Sequence, residues 1–344
     1  MNWKGPHMIS VVVTALALAP ALVLADEPLV VTPDNYAEAE VDITNSKIVG
    51  AVGSNTFRHD RSLIPLDQQP AVTMNRDTVY SFGIFYAPKG TTITLPKSKD
   101  NRYQSAMMEQ TDAYVDQVFY APGTFEINSK TEFTGIAIRT QIDVNDPNDI
   151  EYVRELQDQI VVALPGGVKP KEYVPRDWDK KSLEALRAKY REEAKKLPNL
   201  NATSGAHGEV DPHLLRLGVS VAMGLLPPED AVYLWRDYGL KGGECYSATY
   251  TKPGFKDKGF YSFTMYGSDR YLHDEEATLN NSTIKDDPGG TFTIYYGSES
   301  ACGKVANRLG TPGDDWYLGM RIYRPVQAVI DGKYDIPVPT LVKK

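Results

Sequence analysis

Short apolar runs bounded by turn residues fill residues 78–141 and recur after residue 238. The strongest run covers residues 78–86, is rich in β-branched and aromatic residues, and ends at a Pro-Lys-Gly turn sequence. The same pattern predicts further strands at residues 91–95, 103–108, 114–120, 124–127, 135–140, 244–251, 259–266, 291–296 and 316–323. Short strands at this spacing indicate sandwiches or barrels rather than alternating strands and helices.

A helical pattern separates the two strand-rich regions. Asp146-Pro147 and Asp211-Pro212 each combine a capping residue with proline at the first helical position. Apolar residues then recur at helical spacing over residues 150–164 and 212–226, and a charged helix is predicted between them at residues 179–196. We therefore predict a mainly β protein with helices: two β-sandwich domains, at 26–144 and 238–344, around a helical insert at 145–237.

The two strand-rich regions share an internal repeat. Residues 80–82 match 261–263, residues 122–127 match 288–294, and residues 137–139 match 319–321, in the same order. This shared order predicts two sandwiches of related topology. It also places Arg139 and Arg321 at equivalent positions, where they would hold an anionic ligand if both turn towards the domain junction. A solvated or ion-paired strand face is the alternative.

The first 25 residues have the order of a secretory signal peptide. Lys4 precedes an apolar stretch at residues 8–24, and small residues at the end of that stretch predict cleavage after Ala25. The alternative is a membrane anchor, but the stretch is short for a span and contains Pro20. We expect a soluble periplasmic or secreted protein with no membrane span after cleavage. The net charge of −8 disfavours nucleic acid as a partner.

Cys245 and Cys302 are the only cysteines in the chain. In an oxidising compartment, a single pair of cysteines is more often bridged than catalytic, so we predict a disulfide between them. Two free buried thiols are the alternative.

The chain resembles two families of unknown function. Residues 74–81, Met-Asn-Arg-Asp-Thr-Val-Tyr-Ser, resemble the signature of domain-of-unknown-function family 1254, and residues 31–36, 118–124 and 142–147 agree with it. Residues 259–266 and 321–325 resemble the companion family 1214. The resemblance implies two β-sandwich domains with a helical part and brings no activity. Residues 306–310 depart from the Asn-Trp-Leu-Pro stretch that family members usually carry, so no function is inferred from that loop.

The densest group of polar functional side chains precedes and enters the first strong strand. It suggests a site for a small polar or anionic molecule, because arginine offers a planar donor fork and the neighbouring side chains supply further polar groups. The candidate ligand-binding residues are Asn75, Arg76, Asp77, Tyr80, Arg139 and Arg321. The alternative is a structural clasp, in which the Asn-Arg-Asp segment ties a loop to its surroundings.

Catalysis is a further alternative that the sequence leaves open. His59, acting with Asp60 or Asp77, would suit a hydrolase or lyase, and His59 and Asp77 are the candidate catalytic residues. A structural or interaction scaffold without pocket chemistry, assembled as a homo-oligomer, is the remaining hypothesis. No cofactor and no metal site are predicted, because the histidines lack common ligand spacings. A metal held by carboxylates distant in sequence stays open.

Overall fold

The computed structural model describes residue 1, residues 27–69 and residues 71–343. The signal-peptide prediction therefore lies outside the described residues, apart from Met1. Among the residues described, no helix has both the length and the apolar character needed to cross a membrane.

The chain forms strands in two regions, as the sequence pattern predicts. The first region contains β1 (Arg58–His59), β2 (Thr78–Tyr86), β3 (Thr92–Leu95), β4 (Gln104–Gln110), β5 (Val115–Tyr120), β6 (Gly123–Glu126), β7 (Phe133–Gln141) and β8 (Val161–Ala163). The second contains β9 (Ala231–Asp237), β10 (Tyr246–Thr251), β11 (Phe255–Tyr266), β12 (Thr278–Asn280), β13 (Thr291–Tyr296), β14 (Arg308–Leu309), β15 (Tyr317–Pro325) and β16 (Thr340–Leu341). The helices are α1 (Tyr36–Val52), α2 (Asp149–Asp158), α3 (Lys180–Ala194), α4 (Pro212–Val221), α5 (Glu299–Cys302) and α6 (Gln327–Ile330).

The N-terminal strands build one sandwich. A five-stranded antiparallel sheet has the order β1-β2-β7-β4-β5, and a three-stranded sheet has the order β6-β3-β8. Apolar side chains from both sheets meet in one core, including Phe85, Ile93, Leu95, Met108 and Ile138. Strands β3, β4 and β7 contribute alternate residues to this core, as expected from the two-residue period of a strand.

The C-terminal strands build the second sandwich. Its sheets have the orders β12-β11-β15-β9 and β14-β13-β10-β16, and β14 pairs with β13 in parallel while the other pairs are antiparallel. Phe263, Phe292 and Trp316 lie in their shared core. Cys245 and Cys302 form the predicted disulfide, with their Cα atoms 5.0 Å apart.

The repeat in the sequence corresponds to a repeat in topology. In each large sheet the two strands that carry the matching motifs are neighbours: β2 beside β7, and β11 beside β15. The registers differ by one residue, since Tyr80 faces Arg139 whereas Ser262 faces Arg321. The prediction of two related sandwiches is confirmed.

The two large sheets pack against each other through their outer faces. Tyr103 and Met107 of the first half share an apolar cluster with Tyr233, Phe260 and Tyr323 of the second. The ring of Tyr103 lies 5.2 Å from that of Phe260 and 5.1 Å from that of Tyr323, measured between centroids. Both large sheets are therefore covered on both faces, and polar residues on these outer faces become buried.

The region at 145–237 is less helical than predicted. The apolar pattern from residue 150 predicts a helix reaching residue 164, but α2 ends at Asp158 and β8 follows. The β-branched Val161 and Val162 instead pair with β3 at the edge of the small sheet. Strand β9 likewise joins the second large sheet.

Helix boundaries agree with the capping signals in part. Asp211 caps α4 as predicted, because its side chain accepts hydrogen bonds from the backbone N–H groups of His213 and Leu214 at 2.8 and 3.1 Å. Asp146 does not cap α2: it accepts from the N–H of Asn148 at 2.9 Å in a turn, and the helix begins at Asp149.

Helix α1 was not predicted, and its burial pattern gives the reason. Its buried face carries polar residues as well as apolar ones, so it shows no continuous apolar stripe. Asp42 accepts hydrogen bonds from the Trp178 indole at 2.7 Å and from the Arg176 backbone N–H at 2.9 Å. Glu40 pairs with Arg187. Tertiary partners therefore stabilise a helix that local periodicity does not reveal.

Candidate functional site

A cavity of about 530 Å³ lies between the two large sheets, and we call it the central cavity. Strands β2 and β7 form one side, β9 and β15 the other, and two connecting segments complete the wall. The lining residues are Arg58, Asp60, Ile64, Ala71, Val72, Thr73, Met74, Asn75, Tyr80, Phe82, Ala137, Arg139, Val221, Ala222, Met223, Gly224, Leu225, Tyr233, Trp235, Arg321 and Tyr323. Four predicted ligand-binding residues are thus brought together, namely Asn75, Tyr80, Arg139 and Arg321.

Arg139 is a buried cation whose donors are only partly used. Its side chain on β7 leaves the residue 5% exposed, and Nη2 donates to the Gly224 carbonyl at 2.7 Å. Nη1 is buried without a hydrogen-bond partner, and no carboxylate within the described part of the chain forms an ion pair with this guanidinium. Its carbon lies 5.4 Å from the centre of the Tyr80 ring. The cavity therefore contains a positive charge that the protein does not neutralise by direct contact.

Arg321 is equally buried but has more partners. The residue is 4% exposed, its Nη1 donates to Thr264 Oγ1 at 3.0 Å, and its Nη2 donates to the Thr73 carbonyl and to the Tyr266 hydroxyl, both at 2.8 Å. The guanidinium carbon lies 5.1 Å from the Trp235 ring centre. This arginine adds a second positive charge to the cavity and also holds one of its walls.

The Asn-Arg-Asp segment joins the two halves of the molecule. Asn75 Nδ2 donates to the Tyr323 hydroxyl at 2.7 Å, and the Met74 carbonyl accepts from the Tyr266 hydroxyl at 2.7 Å. Arg76 points away from the central cavity, where it forms an ion pair with Glu275 in a separate surface cleft of about 670 Å³. The segment therefore forms a wall of the cavity and a contact between the sandwiches, and only Asn75 of the three motif residues lines the cavity.

Asp77 is fully buried and lines neither the central cavity nor the surface cleft. Burial raises the pKa of its carboxyl group, while Ser262, Arg321 and Asn280 act in the opposite direction. Neither carboxylate oxygen has a hydrogen-bond partner of ordinary length. A ligand in the central cavity would not reach this side chain.

His59 contacts a serine rather than a predicted carboxylate. Its Nδ1 lies 2.7 Å from the Ser81 hydroxyl oxygen, and burial, followed by the charge of Arg61, lowers the pKa of the imidazole. No hydrogen bond joins His59 to Asp60 or Asp77 in the described ranges. Ser81 is itself 1% exposed. The predicted catalytic group is therefore not assembled around a reachable space.

Several cavity residues were missed by sequence reasoning. Trp235 and Tyr233 lie on β9, which was assigned to the helical insert, and residues 221–225 were assigned to the third helix. The aromatic Tyr-Leu-Trp sequence at 233–235 alternates as a strand does and could have indicated β9. The contribution of Gly224 is a backbone carbonyl, for which the side-chain pattern carries no signal. Within the described residues, no group of three or more His, Cys, Asp or Glu side chains could hold a metal ion.

The fold and the cavity define a class: two β-sandwiches that enclose a positively charged, aromatic-lined cavity where their large sheets meet. A family model described as "Protein of unknown function (DUF1214)" matches residues 236–327, which confirms the resemblance predicted for the C-terminal half. The resemblance of the N-terminal half to family 1254 stays a prediction. No curated protein matches the chain.

Two solved structures are similar to the whole chain. The VPA0106 protein from Vibrio parahaemolyticus is 17% identical, with a TM-score of 0.71 over 90% of this chain and 98% of that one. An uncharacterized protein from Burkholderia cenocepacia is 16% identical, with a TM-score of 0.49 over 90% of this chain and 88% of that one. The first likeness shows a shared fold.

Proposed function

We propose that this protein binds a small organic anion in the central cavity and that Arg139 is its main counterion. The observation that carries the proposal is the buried guanidinium of Arg139. Its Nη1 has no hydrogen-bond partner, and no carboxylate in the described part of the chain forms an ion pair with it. A buried, unpaired charge is costly to a folded protein. A ligand carboxylate or phosphate would supply both the missing acceptor and the missing negative charge.

The rest of the wall supports an organic ligand rather than a simple inorganic ion. Tyr80, Phe82 and Trp235 present aromatic surface to the same space. Ligand sites commonly combine such apolar walls with a few polar groups that fix orientation. The Tyr323 hydroxyl, already held by Asn75, lies on this wall as a further polar group.

The motif residues take a supporting part in this proposal. Arg76 and Asp77 fix the segment that presents Asn75, and they do not contact the ligand. We also propose that the protein acts in the periplasm or outside the cell, which the N-terminal pattern and the disulfide support. The proposal concerns binding and assigns no catalytic step.

The test is isothermal titration calorimetry with short organic carboxylates on the wild-type protein and two variants. Arg139→Gln removes the proposed counterion, and Arg154→Gln removes a surface arginine that pairs with Glu151 on α2. We expect Arg139→Gln to weaken binding by roughly 30-fold or more, as for loss of a desolvated charge partner, and Arg154→Gln to leave it unchanged. Equal affinities for all three proteins, or no binding by any of them, would reject the proposal and favour a scaffold.

A further inference from the structure

A second, mostly apolar space adjoins the central cavity, and we call it the side groove. It has a volume of about 270 Å³ and lies between α1 and the large N-terminal sheet. Its apolar surface comes from Ile48 of α1, Ile84 of β2 and Met107 of β4. The volume corresponds to roughly nine water-sized groups at about 30 Å³ each.

The side groove and the central cavity share lining residues on two sides, from the large N-terminal sheet and from the loop after α4. Phe82 and Ala137, which face each other on β2 and β7, line both spaces from below. Met223 and Gly224 line both spaces from the loop after α4. A ligand extending from one space into the other would therefore lie over the Phe82–Ala137 pair and under this loop.

Small residues on one face of β7 lead to the unpaired guanidinium. Residues 135, 137 and 139 point to the same face of the strand, because side chains alternate with a period of two. They are Gly135 in the side groove, Ala137 in both spaces and Arg139 in the central cavity. At about 3.3 Å per residue, this track is about 13 Å long. It is thus a narrow track of small residues that ends at a buried positive charge. The groove lining also contains Lys47 and Arg58, but both residues are exposed, and Arg58 pairs with Asp60.

We infer that the ligand is a single-chain aliphatic carboxylate, with its carboxylate at Arg139 and its alkyl chain lying along β7 in the side groove. This inference rests on the proposed function and adds the class of ligand. Charge complementarity fixes the orientation, since Arg139 is buried and has a free donor at one end of the track, whereas the other two cations of the groove, Lys47 and Arg58, are exposed to solvent.

The acidic side chain in the groove is compatible with an alkyl chain. Glu109 lies on β4 opposite Gly135, and burial raises the pKa of its carboxyl group to about 7, while Arg139 and the Gly224 backbone act in the opposite direction. Below that pH the carboxyl group is mostly protonated, so an alkyl chain does not lie against an ionised carboxylate.

The test uses a chain-length series of butyrate, hexanoate, octanoate and decanoate, titrated calorimetrically at mildly acidic pH. For the wild-type protein, affinity should rise roughly fourfold for each added methylene until the groove is full. Ile48→Trp, a change at a partly exposed groove residue, should weaken decanoate binding at least about tenfold, by loss of buried methylenes, and leave butyrate binding unchanged. Gly50→Trp is the matched control on α1, because an added Cβ there meets nothing within 4 Å.

The outcomes separate this inference from the proposed function. If butyrate and decanoate bind the wild-type protein equally well and Arg139→Gln still abolishes binding, the anion site stands and the aliphatic ligand is rejected. If decylamine binds as tightly as decanoate, the orientation is wrong and the inference is rejected. If no carboxylate of the series binds, the inference and the proposed function are both rejected.

Discussion

Replacing Arg139 by methionine should stabilise the ligand-free protein while removing its anion binding. Methionine has a similar length and adapts to irregular apolar surroundings, so the packing against the Tyr80 ring is largely kept. The substitution removes a positive charge that is buried without a carboxylate partner. Stability and binding are therefore expected to change in opposite directions.

The magnitude follows from the contacts of this side chain. The substitution loses one hydrogen bond from a charged donor to the Gly224 carbonyl, about 1.5–3 kcal/mol, and a cation–π contact of about 0.5–1 kcal/mol. It also removes a desolvation penalty of several kcal/mol for a buried ion. At pH 5, where Glu109 is mostly protonated and its attraction to Arg139 is small, we expect a net gain of about 1–2 kcal/mol in the free energy of unfolding.

Arg102→Met is the matched comparison. The Arg102 side chain is 9% exposed, and it pairs with both Asp100 and Asp149, of which the latter carboxylate is itself buried. Its removal leaves an uncompensated charge and should cost about 3–5 kcal/mol. Urea denaturation with the disulfide intact measures both changes. If Arg139→Met destabilises the protein as much as Arg102→Met, the Arg139 charge is satisfied by the protein and the argument for an anion site fails.

Three further predictions concern pH, the connecting segment and the disulfide. Burial raises the pKa of Glu109 to about 7 and that of Asp230 to about 6, so these two groups bind more protons in the folded state than in the unfolded state above about pH 4.5. Burial lowers the pKa of His59, which acts in the opposite direction on a single proton. Tm should therefore fall as pH rises from 5 to 7, and it should fall less in Glu109→Gln. A Tm that rises over this pH range, or a Tm that falls as much in Glu109→Gln as in the wild-type protein, would contradict the raised pKa of Glu109. Asn75→Ala should lower the free energy of unfolding by about 1–3 kcal/mol, because it removes hydrogen bonds to the Tyr323 hydroxyl and to the backbone N–H of Asp77. It should also speed amide hydrogen exchange at residues 71–77. Unchanged exchange in that segment would reject a structural role for Asn75 as a clasp. Reducing the Cys245–Cys302 disulfide, which spans 57 residues, should lower the free energy of unfolding by about 3–4 kcal/mol. Urea denaturation with and without reductant measures this change. An unchanged urea midpoint would show that the disulfide does not contribute to stability.

The strands could be predicted from sequence because their signals are local. Residues 78–86 and 291–296 match the observed strands at both ends, since turn residues and β-branched or aromatic content are read within a few positions. Helix α1 could not be predicted, because its buried Glu40 and Asp42 are satisfied by residues more than a hundred positions away. Local patterns do not show such partners.

The internal sequence repeat was the signal that correctly predicted a shared position for two residues of the candidate site. Arg139 and Arg321 were identified as equivalent positions, and the structure places both on one cavity. The Asn-Arg-Asp motif is contiguous in sequence, yet Asn75 faces the cavity and Arg76 a separate cleft, because the chain bends at residues 76–77, where the Asp77 N–H donates to Asn75 Oδ1. Density of functional groups along the chain therefore does not show which of them share a space.

The most direct test of the account is calorimetric titration of octanoate into the wild-type protein and Arg139→Gln at mildly acidic pH. The account predicts one saturable site in the wild-type protein and a loss of affinity of roughly 30-fold or more in the variant, whose fold stays intact. Equal binding by both proteins, or no binding by the wild-type protein, would contradict the claim that the central cavity is an anion site built on Arg139.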